Sequence, residues 1–190
     1  MPSAREALLI AAQTALADRP WATVRMVEVA AAAGVSRQTL YNEFRTKEGL
    51  GAALVDRQID GLVTGAADAV TAARRRGGDP AACCAAAAVW MLDRAREEPL
   101  LRAALTGFWD SRLPLPEYRP EQVVARLCAT TLDALCGTGE AELRRACEVG
   151  LRLALSYVVV PPADPEAPAG VAAVVAALLR GTPAGAQSVD

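Results

Sequence analysis

The chain contains no histidine. That absence removes the commonest zinc arrangements and most imidazole-based acid–base and nucleophile-activating chemistry. The thiols do not replace it. Cys83, Cys84, Cys128, Cys136 and Cys147 are odd in number, no pair has Cys-x-x-Cys spacing, and no compact disulfide framework fits them. A glycine-rich phosphate loop is missing, as are carboxylates paired at a fixed spacing, so an enzyme or ligand carrier is the weakest of the functional classes. No catalytic residue, metal ligand or cofactor is assigned. The apolar stretch near the end, residues 171–179, is short of the about 20 residues a bilayer-spanning helix needs. The first residues lack a basic segment followed by an apolar core, so a cytoplasmic protein without membrane contact is expected. Net charge is small as well, −2, so no global basic field attracts nucleic acid.

What is present is helix. The composition is 53% hydrophobic, mostly Ala, Val and Leu, with few aromatic or β-branched runs bounded by turns. The stretch from Val27 to Phe44 reads as two short helices joined by a tight turn. Val29, Ala30 and Ala33 share one face of the first. Gly34 stops that helix, because only glycine takes the left-handed conformation cheaply. Ser36 caps the second, and Val35 with Leu40 makes a hydrophobic staple across the cap. Leu40 and Phe44, one turn apart, point inward. Arg37, Gln38, Thr39, Tyr41 and Asn42 then face outward, the pattern of a helix-turn-helix with a polar recognition helix.

The residues Ala30-x-x-Ala33-Gly34-Val35-Ser36-x-x-Thr39-Leu40-Tyr41-x-x-Phe44-x-x-Lys47-Glu48-x-Leu50 resemble the signature of the tetracycline-repressor (TetR) family of bacterial transcription regulators. The similarity covers roughly residues 5 to 55. It implies that Gln38, Thr39 and Asn42 face base edges and that Arg25, Tyr41 and Lys47 hold phosphates, with Arg37 on the same surface. Arg25 and Pro20 depart from the family pattern, which mostly has Thr or Ser at the first position and Gly at the second. Arg25 keeps an electrostatic contact with a phosphate and adds reach, or enters a groove to read a base. Residues 1–50 carry six basic and five acidic side chains, so placement on one face must do what net charge does not.

In chain order, Ser3 and Glu6 form a capping box for a first helix running to about Asp18. Arg5 near its start reaches a phosphate or stays a solvated surface charge. Thr46 caps a fourth helix with Lys47 in its first turn, where the N–H groups and dipole attract phosphate. Apolar spacing carries that helix to about Arg76 with no Pro/Gly linker, and Arg74-Arg75-Arg76-Gly77-Gly78 is a basic end with a glycine stop. Further helices are expected over about 80–98, 100–110, 120–136, 140–160 and 165–180. The expected fold is all-α, about nine helices. A three-helix helix-turn-helix domain, 1–48, precedes an antiparallel helical ligand-binding and dimerisation domain, 49–180, and a flexible tail, 181–190.

Of the eight aromatic residues, Trp90, Phe108, Trp109 and Tyr118 lie where a ligand cavity between helices five to eight would be, and either line it or fill core. The apolar faces of the last two helices, with Leu151, Ala154, Val171, Val175 and Leu178, are expected to pair with a second copy, an arrangement the family resemblance also implies. Gly150 and Ala154 would let those helices approach closely. Two copies would meet successive major grooves about 34–36 Å apart on palindromic double-stranded operator DNA. The expected function is a sequence-specific DNA-binding regulator, a repressor released by a small apolar or aromatic ligand. The alternative is a regulator without such a ligand, controlled by cysteine oxidation or by a protein partner.

Overall fold

A computed structural model of the protein describes residues 3–110, 112–114, 119–135, 141–163 and 167–180. Among these are nine α-helices and one 3-10 turn, and no strand. Helix α1, Ala4–Asp18, starts where Ser3 Oγ accepts the Glu6 N–H at 3.1 Å, and buries Leu8, Leu9 and Ala12. The 3-10 turn Trp21–Thr23 leads into α2, Met26–Ala32. Gly34, at φ +68°, turns the chain into α3, Arg37–Phe44, where Ser36 Oγ accepts the Thr39 N–H at 3.0 Å. These three helices close over Val29, Ala30, Leu40 and Phe44.

Helix α4, Lys47–Arg75, is capped by Thr46, whose Oγ1 accepts the Gly49 N–H at 3.0 Å. It is unbroken, with Leu50, Leu54, Ile59, Leu62, Ala66 and Val70 buried along one stripe. Its first turns pack against α1 and α3, which with α2 are called the reading helices below, and the rest belongs to the bundle formed by α5, Pro80–Glu97; α6, Pro99–Thr106; α7, Pro120–Ala134; α8, Ala141–Val159; and α9, Ala167–Arg180. Helix α5 is the centre of this bundle and touches α4, α6, α7, α8 and α9. Its sequence explains why. Ala81, Cys83, Cys84, Ala85, Ala87 and Ala88 are all buried, and side chains this small let several neighbours approach at once. The remaining space is filled by leucines from every side, with Leu62, Met91, Leu92, Leu101, Leu105, Leu127 and Leu151 each sealed from solvent. Among the described residues no helix is long and apolar enough to cross a membrane.

Helix α6 stops at Thr106, earlier than its apolar pattern suggests. Gly107 takes φ +74° and its N–H caps the Ala103 carbonyl at 2.8 Å, so Phe108 and Trp109 leave the helix. The segment that follows crosses to the reading helices. The Trp21 N–H donates to the Arg112 carbonyl at 2.8 Å, and Pro114 and Trp21 both crowd Gly51. A Cβ on Gly51 would stand 2.7 Å from Pro114 Cβ, so only glycine admits this contact. Tyr118, Cys136 and the tail 181–190 lie outside the described residues.

Candidate nucleic-acid interface and ligand surfaces

The recognition helix is sided. Leu40 and Phe44 face inward, while Arg37, Gln38, Tyr41 and Asn42 are exposed. Thr39 is half-buried and its Oγ1 lies 2.8 Å from Ser36 Oγ, so the hydroxyl is partly engaged at the cap. The amides of Gln38 and Asn42 each carry a donor and an acceptor, the pair that matches the major-groove edge of adenine. Arg25 is the residue before α2, with its side chain 77% exposed and Nε 4.0 Å from Glu28 Oε1. Glu28 is held more firmly by Arg19, at 2.5 Å. Lys47 is half-buried at the start of α4. Its Nζ donates to the Ala22 carbonyl at 2.9 Å and sits 5.5 Å from the centre of a Trp21 ring. It therefore braces the 3-10 turn as well as adding positive charge beside the α4 N–H groups. The Arg5 guanidinium lies over Phe44, 4.7 Å from the ring centre, and 3.8 Å from Glu43, which ties α1 to the end of α3.

One residue of this surface has no signal in the sequence. Arg45 sits at φ +61°, ψ −54°, and the Thr46 N–H reaches back to the Phe44 carbonyl at 2.6 Å. This is a γ-turn of the rare, strained kind, costing about 1–3 kcal/mol in a residue that carries a side chain. It places an exposed cation between Asn42 and Lys47.

The sequence model for bacterial regulatory proteins of the tetR family matches residues 8–54, and that for the bacterial tetracyclin repressor C-terminal domain matches residues 79–180. The chain belongs to the tetR family. It is 31% identical over 180 residues to the helix-turn-helix transcriptional regulator AlkX of Mycobacterium tuberculosis, covering 92% of this chain and 82% of that protein. The fold resembles that of the TetR family repressor AlkX from a Dietzia strain, implicated in biodegradation of n-alkanes, with a TM-score of 0.62, 24% identity and coverage of 93% and 96% of the two chains. It also resembles Thermus thermophilus FadR in complex with lauroyl-CoA, with a TM-score of 0.57, 20% identity and 98% coverage of each. The chain is a helix-turn-helix transcriptional regulator of the tetR family.

In this tetR-family chain the aromatics expected to line one cavity are dispersed. Trp90 packs against α4 at Gly65, with Nε1–H donated to the Leu62 carbonyl at 3.0 Å and the Arg94 guanidinium 5.7 Å from its ring centre. Phe108 is turned to solvent in a groove against the end of α1. Trp109 lines a separate recess of about 380 Å3 with Trp21, Leu113 and Pro114. The reason is the early stop at Gly107, which swings Phe108 and Trp109 away from the bundle axis and toward the reading helices.

The residues expected at a subunit interface fall into two groups. Leu151, Ala154, Val171 and Val175 are buried in the chain's own core. A Cβ on Gly150 would stand 2.7 Å from Val175 Cγ2 of the same chain, so this close approach joins α8 to α9 within one protomer. Leu178 stays exposed, with Val159, Val160 and Val174.

Three buried thiols, Cys84, Cys128 and Cys147, come from α5, α7 and α8, and Cys147 interacts with each of the other two. Contact with Cys147 and burial push the Cys128 thiol far up. The hydrogen bond with Cys128 draws Cys147 down, but contact with Cys84 and burial outweigh it and leave Cys147 pushed up to about 12. Thiolate, the form that reacts with oxidants, is scarce at both near neutral pH. No group of three or more metal-ligating side chains converges among the described residues.

Proposed function

We propose that this regulator is a homodimeric repressor that binds a palindromic operator through α3 and is released by a small apolar ligand. The observation that carries the reading is the sidedness of α3. Its apolar residues are consumed by packing, and its exposed amides, hydroxyl and guanidinium stand together with Arg25, Arg45 and Lys47 around them. Phosphate contacts of this kind supply affinity and register, and the amides supply the choice of base.

Two features favour an apolar ligand. The interior between α4 and α8 is built from aliphatic side chains and thiols, with Thr131 as its buried polar residue among those described. The same architecture in the Thermus thermophilus neighbour is in complex with lauroyl-CoA. Packing in the present chain is tight, so a ligand must displace leucines, and α4 carries that displacement directly to the reading helices. The raised thiols disfavour the oxidation alternative. Val159, Val160, Val174 and Leu178 supply the apolar strip for a second copy.

The test is selection of duplex DNA on the purified protein, followed by binding measured by anisotropy. A palindromic consensus is expected, and Gln38→Ala should relax its sequence preference by about 1–3 kcal/mol at the affected base pair. Binding that is equally tight to every sequence would reject the reading.

A further inference from the structure

We propose that the groove between the end of α1 and the segment after α6 binds a small organic anion with an aromatic body, and that its occupancy changes operator affinity. The regulatory half rests on the function proposed above; the binding half does not.

The groove has a volume of about 450 Å3, within the range of small-molecule sites. One wall is Leu16, Arg19 and Pro20; the other is Arg102 of α6 with Phe108 and Arg112 after it. Three guanidinium groups thus face one carboxylate, Asp110, in the lining. Arg19 is occupied by Glu28, and Asp110 accepts the Arg112 backbone N–H. Arg102 and Arg112 make no ion pair among the described residues. Beside them Phe108 is 73% exposed, the largest exposure among the large apolar side chains described. An aromatic ring left in water next to two uncommitted guanidinium forks suits a ligand of matching composition. A flat ring covers Phe108, and a carboxylate or sulfonate accepts paired hydrogen bonds from the arginines.

The position gives the site its consequence. Arg19 belongs to the reading helices and Arg102 to the bundle, so a ligand touching both walls is sensitive to the angle between them. The segment that carries Phe108 and Arg112 is itself fastened to the reading helices through the Trp21 N–H and the Arg112 carbonyl. A ligand that favours one angle shifts operator affinity by the same factor with which DNA shifts ligand affinity.

The experiment uses the full-length protein and two dyes, anilinonaphthalene sulfonate and its uncharged counterpart phenylnaphthylamine, titrated by fluorescence. The paired variant Arg102→Gln with Arg112→Gln should weaken the sulfonate by about tenfold or more and leave the amine unchanged. Phe108→Ser should weaken both. All three side chains are exposed, and unchanged melting temperatures will show that the variants fold. Sulfonate binding to the paired variant at wild-type strength would overturn the site. In wild type, saturating sulfonate should shift operator affinity by about fivefold or more, with no shift in the paired variant. Arginine-dependent dye binding with unchanged operator affinity would overturn the regulatory half alone. Failure to select any DNA sequence would overturn that half together with the reading it rests on, whatever the dyes show.

Discussion

Replacing Gly65 by alanine should destabilise the protein, while the same change at Gly61, one turn earlier on α4, should stabilise it. In a helix interior Gly→Ala gains about 1 kcal/mol, because the unfolded glycine has more freedom to lose. At Gly61 nothing lies within 4 Å of the new methyl, so the whole gain should appear. At Gly65 the methyl would stand 2.2 Å from Trp90 Cζ2 and 2.7 Å from its Nε1. The indole is stiff, and it is moored by the 3.0 Å hydrogen bond to the Leu62 carbonyl, so it can yield only by giving up that bond. Overpacking of this kind costs about 1–3 kcal/mol, and the lost hydrogen bond about 1 more. Set against the helix gain, the net loss is about 1–3 kcal/mol, so the two variants should differ by about 2–4 kcal/mol. In a chain of this size each kcal/mol moves Tm by about 2–4 °C. Urea unfolding at one fixed protein concentration, followed by tryptophan emission, measures the difference. Equal stabilisation by both alanines would refute the packing of Trp90 on Gly65.

The other substitutions test the DNA surface, the subunit strip and the thiols. Lys47→Ala and Arg25→Ala should each weaken binding to all sequences alike and lower the salt slope by about one unit, measured by anisotropy across salt concentrations; an unchanged slope in both would remove their phosphate role. Val174→Glu combined with Leu178→Glu should give a folded monomer by light scattering and circular dichroism. Leu151→Glu should instead unfold the chain, since it buries an unpaired charge, and a folded Leu151→Glu monomer would contradict its place in the core. The raised thiols make stability fall with alkali. The unfolded thiols release protons near pH 8.5 while Cys147 holds its proton to about 12, so the unfolded chain binds fewer protons in that window. Stability should be complete below about pH 8.5 and decline above it, and Cys147→Ala should flatten the decline at up to about 1.4 kcal/mol per pH unit.

How much of this was legible in the sequence depended on how local the cause was. Gly34, Ser36 and Thr46 act through one backbone conformation or one hydroxyl, so the recognition helix and the start of α4 could be read directly. The end of α6 could not, because Gly107 is followed by Phe108 and Trp109, which prolong an apolar pattern that the backbone abandons. Periodicity on α8 and α9 showed an apolar face but not which body covers it. Val171 and Val175 turn out to fill the space left by Gly150 in their own chain. The surroundings of the aromatics were not legible for a related reason, since Trp90, Phe108 and Trp109 lie within twenty residues of sequence but face three different surroundings. Arg45 was invisible because nothing about an arginine announces a positive φ.

The hydrogen bond from the Trp21 N–H to the Arg112 carbonyl has a mechanical meaning. A body joined to another at one place can pitch, roll and yaw about the joint. Among the described residues the first three helices are held along the unbroken rod of α4, where Arg57 reaches back to Glu6 at 2.9 Å, and again by this bond beside Pro114. A second fastening away from the rod resists rotation of those helices about it. Motion of the bundle is thereby passed to α3 through two routes at once, and release of the Arg112 fastening would leave α4 to carry it alone.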